Sequence, residues 1–372
     1  YNVAVIGKSG AGKSVLMQEL VCSIFSSGGH VLVIDDGYSF ENSCKIFDGK
    51  HIAFNDDVDP PRLNPISLLD PIAMKQDGYR ADAIELLTRI VATMAELSSE
   101  HTGRVANVEE DFFGDAIARV WEEKGRAGEI TDVRDVLMEQ SKDEPRLIDV
   151  IRKLGKFCRG GQYGGYFSGP SNLTLGKGLT VVELSDVKSM PGLQDVVLQL
   201  VMFLGTELMF KTPKDTRVAI VIDEAWDLLQ AHGTAAFIEG VVRRARKYTG
   251  ALITGTQSVG DYLDLPSSKV CWENSDVTIY LAQKPDTIDR LPFEDPGIAQ
   301  HLKTLTQVPG MFAELAIKSP EGWAIARLML DPFSLAALSS KGSTRRAIEQ
   351  QMQAGLTLVE AVQYLVDAKQ VA

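Results

Sequence analysis

The first fifteen residues, Tyr1 to Val15, constrain this chain more than any other stretch. The apolar run Val3 to Ile6 reads as a buried strand. Gly7, Gly12, Lys13 and Ser14 then satisfy the pattern G-x-x-x-x-G-K-[ST], and Val15 to Phe25 continue with apolar residues at helical spacing. Strand, loop and helix in that order are the context a phosphate-binding P-loop requires. Gly7, Lys8, Ser9, Gly10, Ala11, Gly12, Lys13, Ser14 and Val15 are therefore candidate nucleotide-binding residues. Glycines let consecutive backbone N–H groups point into one cavity, and the helix N-terminus adds partial positive charge there. Lys13 is expected to reach the β- and γ-phosphates, and the Ser14 hydroxyl to bind Mg²⁺. The plainer alternative, a Gly-rich turn with no ligand, does not account for both flanks and the Lys13-Ser14 pair.

At 372 residues the chain is long for one compact domain, so one large domain with an insertion, or two lobes, is expected. A hydrophobic content of 45% is ample for a core. The balance is acidic, 38 Lys plus Arg against 50 Asp plus Glu, for a formal net charge of −12. That argues against wrapping nucleic acid over a broad surface, though not against a small basic pore lining. Cys22, Cys44, Cys158 and Cys271 are far apart with no C-x-x-C spacing, which reads as reduced thiols. No apolar run reaches membrane-spanning length, and no signal peptide is visible. The chain enters a core strand within two residues of Tyr1, so a fragment whose upstream domain has been removed is expected.

Along the chain, His30 to Ile34 is a second buried strand, ending at Asp35-Asp36-Gly37, and His51 to Phe54 a short edge strand. From about residue 67 to 157 the pattern turns helical: Ile84, Leu87, Val91 and Met94 recur at that spacing, as do Phe113, Ile117 and Val120. The Gly-rich run 160–165 and Gly169-Pro170 then form a return linker. Strands follow at Leu179 to Leu184, Arg217 to Ile222, Ala251 to Thr254 and Val277 to Leu281, alternating with helices. Such alternation implies a mostly parallel sheet covered on both faces. A hairpin around Pro320-Glu321-Gly322 closes one edge. Thr344 to Lys369 is a helical tail with Ile348, Met352, Leu356, Val359, Val362 and Leu365 in one apolar stripe. The expected organisation is an α/β core over 1–66 and 158–340, an all-helical insertion over 67–157 and a C-terminal helical tail over 341–372.

A P-loop alone only binds phosphate. Hydrolysis also needs a carboxylate for Mg²⁺ and a group that activates water. Two strand ends offer acids, Asp35-Asp36 and Asp223-Glu224. The later pair divides the labour better: Asp223 for the metal, Glu224 for the attacking water. Asp35 and Asp36 then cap or solvate a loop, or support the phosphate site. Gln257 ends the next strand, where its amide could donate to phosphate and accept from water, unless it is an ordinary polar strand end. Arg243, Arg244, Arg246 and Lys247 end the intervening helix. They form a solvated end complementing the helix dipole, an arginine finger for a neighbouring subunit, or a polyanion contact. Arg290 and Arg327 are weaker candidates for the finger.

The order of these motifs resembles the motor domain of TraC-type ATPases of conjugative type IV secretion systems, within the HerA/FtsK superfamily. The segments 62–65 (RLNP) and 164–169 (GGYFSG), flanking the helical insertion, resemble that family as well. The resemblance implies a RecA-like P-loop NTPase core that hydrolyses ATP with Mg²⁺. Matched by position, Lys13 and Ser14 serve phosphate and metal, Asp223 and Glu224 metal and water, and Gln257 senses the γ-phosphate. Arg246 is the first choice for a trans-acting arginine. A homo-hexamer is also implied, peripheral to the cytoplasmic face of the bacterial inner membrane and working with other secretion components, with nucleic acid not indicated by charge. The rival expectations are a DNA-translocating motor of the coupling-protein or HerA/FtsK type, and a nucleotide-binding module with negligible turnover.

Overall fold

The computed structural model describes residues 2–55, 60–96, 105–173, 175, 178–190, 192–223, 234–248, 250–264, 266–291, 296–339 and 341–368. Its centre is a sheet of ten described strands: β1 (Val3–Ile6), β2 (His30–Asp35), β3 (Lys50–Ile52), β4 (Leu179–Glu183), β5 (Val218–Asp223), β6 (Gly250–Thr256), β7 (Val277–Tyr280), β8 (Gln307–Val308), β9 (Phe312–Ser319) and β10 (Gly322–Leu328). The order across the sheet is β10-β9-β7-β1-β6-β5-β2-β4-β3, with β8 paired to β9. From β7 to β3 every pair is parallel. The β9–β10 hairpin and β8 are antiparallel, as the turn at Pro320-Glu321-Gly322 implies. The runs on β2, β4 and β5 are apolar without alternation because helices cover both faces of a parallel sheet.

One face packs on α1 (Lys13–Ser26) and the short α2 (Glu41–Ile46). The segment between β3 and β4 is helical, with α3 (Asp77–Met94), α4 (Val105–Lys124), α5 (Ile130–Gln140), α6 (Leu147–Leu154) and the one-turn α7 (Gly164–Phe167). The Gly-rich run read as a linker thus carries a helix of its own. The other sheet face holds α8 (Leu193–Lys211) and α9 (Thr234–Lys247), and α3 packs on both. Buried side chains of α3–α6 and of α8 form one continuous apolar core. The two motif segments flanking the helical region meet. The Leu63 N–H donates to the Tyr166 carbonyl (2.5 Å), and the buried Asn64 amide to the Gly169 (3.0 Å) and Gly128 (2.9 Å) carbonyls.

Two expectations are corrected. By length and composition α8 could cross a membrane, yet 78% of its most apolar stretch is buried against the sheet and α3, so it is a core helix. The tail is not one stripe. After α10 (Val259–Asp264), α11 (Pro266–Glu273), α12 (Pro285–Ile288), α13 (Pro296–Thr304) and α14 (Pro332–Ala337), it forms two helices, α15 (Gly342–Gln353) and α16 (Leu358–Asp367). They break at Gly355, and Thr357 caps α16 by accepting from the Glu360 N–H. The break turns Val359 outward, 50% exposed, while Ile348, Val362 and Leu365 pack with α14 and α2.

Candidate nucleotide site

Parallel strands put their C-terminal ends on one edge of the sheet, and the loops beyond that edge build a cavity of about 490 Å³. The P-loop forms one wall. It is held by the Gly7 N–H donating to the Thr256 carbonyl (3.1 Å) and the Lys8 N–H to the Ala282 carbonyl (3.0 Å), so β1 is gripped by the ends of its two neighbours. Gly12 precedes α1 with φ 92°, a left-handed conformation that favours glycine, and backs closely onto Ala313 of β9. No side chain caps α1, and no acid occupies its first turn. Its first N–H groups therefore face the cavity, the arrangement that binds phosphate elsewhere.

Lys8, Ser9, Gly10, Gly12, Lys13, Ser14 and Val15 line the cavity; Gly7 and the buried Ala11 support it from behind. The Lys13 amine forms a buried ion pair with the Asp223 carboxylate, 4% and 1% exposed respectively. Register explains the meeting: Asp223 sits beside Gly255 of β6, and Thr256 beside Ile6 of β1. Glu224, expected to activate water, lies outside the described residues. Gln257 lines the cavity from the end of β6. Its turn is pinned by Asp261, whose carboxylate accepts from the Thr256 hydroxyl and from the Ser258 N–H (3.2 Å).

Asp35 and Asp36 part company. Asp36 lines the cavity and pairs with Lys188 (2.7 Å). Asp35 is 1% exposed and accepts from the Phe40 N–H (2.9 Å). Burial pushes its pKa up to about 8, with the Glu183 and Asp223 carboxylates adding to the rise. Glu183, at the end of β4, accepts from the N–H groups of Gly37 (3.1 Å), Tyr38 (2.6 Å) and Ser185 (2.8 Å). It thereby fixes the loop that brings Asp36 and Ser39 to the cavity.

Sequence reasoning missed Glu183, Asp261, Gln307, Lys341 and Thr344, the last three lining the cavity from the β8–β9 side and the start of α15. Asp261 carried a signal, since Ser258-x-x-Asp261 is a capping pattern and the Gly260 N–H does donate to the Ser258 hydroxyl (3.0 Å).

The basic run at the end of α9 lies at the opposite edge of the sheet. Arg243 pairs with Glu85 (2.9 Å), Lys247 with Asp82 (2.9 Å), and the buried Arg244 with Glu207 (3.1 Å). Arg246 is exposed, and donates to the Asn274 carbonyl at 3.4 Å. Arg290 pairs with Asp264 (2.7 Å) and Arg327 with Glu314 (2.9 Å).

The donor set fits Mg²⁺ with a nucleotide. The Ser14 hydroxyl and the Asp223 carboxylate are hard oxygen donors, too few to cage a metal alone. Mg²⁺ characteristically keeps waters and takes phosphate oxygens alongside one or two protein ligands.

Comparison with known proteins agrees with this geometry. The family model described as the TraG P-loop domain matches residues 1–287. Protein TraC of Escherichia coli K12 is 30% identical over 97% of this chain, which spans 42% of that relative's length. The fold is shared with VirB4 of Thermoanaerobacter pseudethanolicus, at TM-score 0.68 and 19% identity over 90% of each chain. It is also shared with the plasmid coupling protein TrwB, solved with the ATP analogue ADPNP, at TM-score 0.61 and 12% identity over 89% of this chain and 85% of that one. These likenesses describe a RecA-like α/β fold of the P-loop NTPase type. Matched by its family model over well over half its length, and TraC-like in sequence from end to end, the chain belongs to the TraG P-loop domain family.

Proposed function

We propose that this chain is the ATP-hydrolysing motor of a conjugative type IV secretion system, driving pilus assembly and substrate transfer. The observation that carries the reading is the buried Lys13–Asp223 ion pair in a chain 30% identical to TraC. It joins the P-loop to a strand end 210 residues later, the two parts hydrolysis needs together. In this reading Lys13 holds the β- and γ-phosphates, and Ser14 and Asp223 hold Mg²⁺, which neutralises phosphate charge when bound. Glu224 activates the attacking water and Gln257 senses the γ-phosphate. Arg246 acts across a subunit boundary. Its exposure, and its position away from its own chain's cavity, suit a contact with a neighbour. The assembly is a homo-hexamer at the cytoplasmic face of the inner membrane, working with other secretion components.

Phosphate release tests this. Lys13→Ala should abolish turnover. Glu224→Gln should still bind ATP but hydrolyse it about a hundredfold or more slower, the usual contribution of a positioned base. Wild-type turnover in Glu224→Gln would remove that residue from its role. Stimulation by DNA that falls steeply with salt would favour a DNA-translocating motor instead.

A further inference from the structure

Gln257 hangs from the end of β6, and the residues on either side of it are held by a frame. Thr256, wholly buried, is its hub. The Thr256 carbonyl accepts from the Gly7 N–H (3.1 Å), which fixes the first residue of the P-loop. The Thr256 hydroxyl donates to the Asp261 carboxylate, and the same carboxylate oxygen accepts from the Ser258 N–H (3.2 Å). Asp261 thus grips the residue before Gln257 and the residue after it. Ser258 in turn accepts from the Gly260 N–H (3.0 Å). The buried Tyr262 hydroxyl donates to the Thr254 carbonyl (3.2 Å), so two consecutive residues of α10 are fastened to the end of β6. On the other side, the Asp223 carboxylate lies against Gly255, where a Cβ would come within 2.9 Å of one of its oxygens. The frame therefore stands between the P-loop and Asp223, the two parts joined by the ion pair.

Among the described residues that wall the cavity, Gln257 is one and Asp261 is not. Any effect of Asp261 on a bound nucleotide passes through the turn it closes. We propose that Asp261 is a positioning residue for hydrolysis, holding Gln257 so that its amide meets the terminal phosphate and the attacking water. The inference rests on the reading of Gln257 as the γ-phosphate sensor. Asp261 spends a single oxygen on both bonds. The position therefore requires an acceptor rather than a negative charge. A carboxyl-to-amide change keeps that oxygen, whereas truncation at Cβ releases the turn. Misplacing a positioned group by about 1 Å costs up to about a hundredfold in rate. Such a loss falls on kcat when the displaced contact is made in the transition state more than in the bound ground state.

The test is phosphate release by the 372-residue chain with ATP and Mg²⁺, read as kcat and KM. Asp261→Ala should lower kcat about tenfold or more with KM within about twofold of wild type. Asp261→Asn should restore both to within about threefold of wild type, since it keeps the acceptor. The cycle with Gln257 decides. Gln257→Ala should lower kcat at least as far as Asp261→Ala, and adding Asp261→Ala to it should change kcat by less than about twofold, because the frame then holds nothing. Losses that multiply in the double variant overturn the proposal. So does wild-type kcat in Asp261→Ala, or a rise in KM alone. If Asp261→Ala does not fold, Thr256→Val removes the hydroxyl donor instead and enters the same cycle with the same expectations. Two controls separate this inference from the readings beneath it. If Lys13→Ala hydrolyses ATP like wild type, the P-loop reading falls; if Gln257→Ala does so, the sensor reading falls; either takes the inference with it. If both are impaired while Asp261→Ala matches wild type, only the role of Asp261 falls.

Discussion

Asp223, Asp35 and Glu183 end three neighbouring strands, in register, and each is almost wholly buried. Three carboxylates in a row would repel one another, and each is treated differently. Asp223 meets the Lys13 amine, and Glu183 accepts three backbone N–H groups. Asp35 accepts from the Phe40 N–H and is pushed up to about 8 by burial and by its two neighbours. An unfolded Asp titrates near its ordinary value of about 4. Between those two values the folded chain binds the extra proton, so this contribution to stability is full below about pH 4 and is lost as pH rises through about 8. Asp35→Asn keeps an oxygen for the Phe40 N–H and cannot ionise. Its melting temperature should exceed wild type by a few degrees at pH 8.5 and match it near pH 4, as read by thermal melts. A constant difference at every pH would mean that Asp35 does not titrate in this range. The P-loop and Asp223 were legible in the sequence because their chemistry demands fixed spacing next to a strand. Glu183 was not: an acid ending an apolar strand has no signature, and only the register of β2 beside β4 makes it the anchor of the 36–39 loop.

The basic run on α9 shows how elements are joined. Its charges mainly latch α9 to the helical region rather than serving solvent. Arg243 and Lys247 reach Glu85 and Asp82 on α3 at the surface. Arg244 passes beneath them to Glu207 on α8, whose other oxygen accepts from the Tyr79 hydroxyl. The guanidinium also sits 5.6 Å from the Tyr79 ring centre and 5.9 Å from that of Phe203. Removing one partner of such a buried pair leaves a charge with no compensation. Glu207→Gln should therefore cost about 3 kcal/mol in urea unfolding, whereas Arg243→Ala, breaking an exposed pair, should cost under about 1 kcal/mol. Equal small losses would show that the buried pair does not clamp the helices. Strands and the β9–β10 hairpin were legible from apolar runs and turn residues. The latch was not, because a charge run at a helix end reads the same whether it faces water or a neighbouring helix. Nor was the role of Asn64, whose bonds to Gly128 and Gly169 join residues 64 and 105 positions apart.

At the scale of the whole molecule, the cavity is the place where distant parts of the chain converge. The P-loop, the loop after β2, the end of β6, the β8–β9 turn and the start of α15 all line it. Those segments belong to different apolar clusters: α1 packs in one, while α14–α16 have their own, resting on α2. The C-terminal helices are tied to α1 and α2, among the described residues, by the Gln18 amide donating to the Leu338 carbonyl (2.7 Å) and by Arg345 pairing with Glu41 (3.0 Å). A nucleotide touching both walls adds a tie that exists only in the folded chain, so its binding energy becomes stability by mass action. At a hundredfold excess over Kd the gain is about 2.7 kcal/mol, which for a chain of this size raises Tm by roughly 3 to 4 °C. Lys13→Ala should lose that shift. Because Lys341 and Thr344 share the cavity with the P-loop, backbone amides of α15 should exchange more slowly with solvent when ATP·Mg²⁺ is added, together with those of α1. Slower exchange confined to α1, with α15 unchanged, would show that the C-terminal helices merely border the site and take no part in holding the nucleotide.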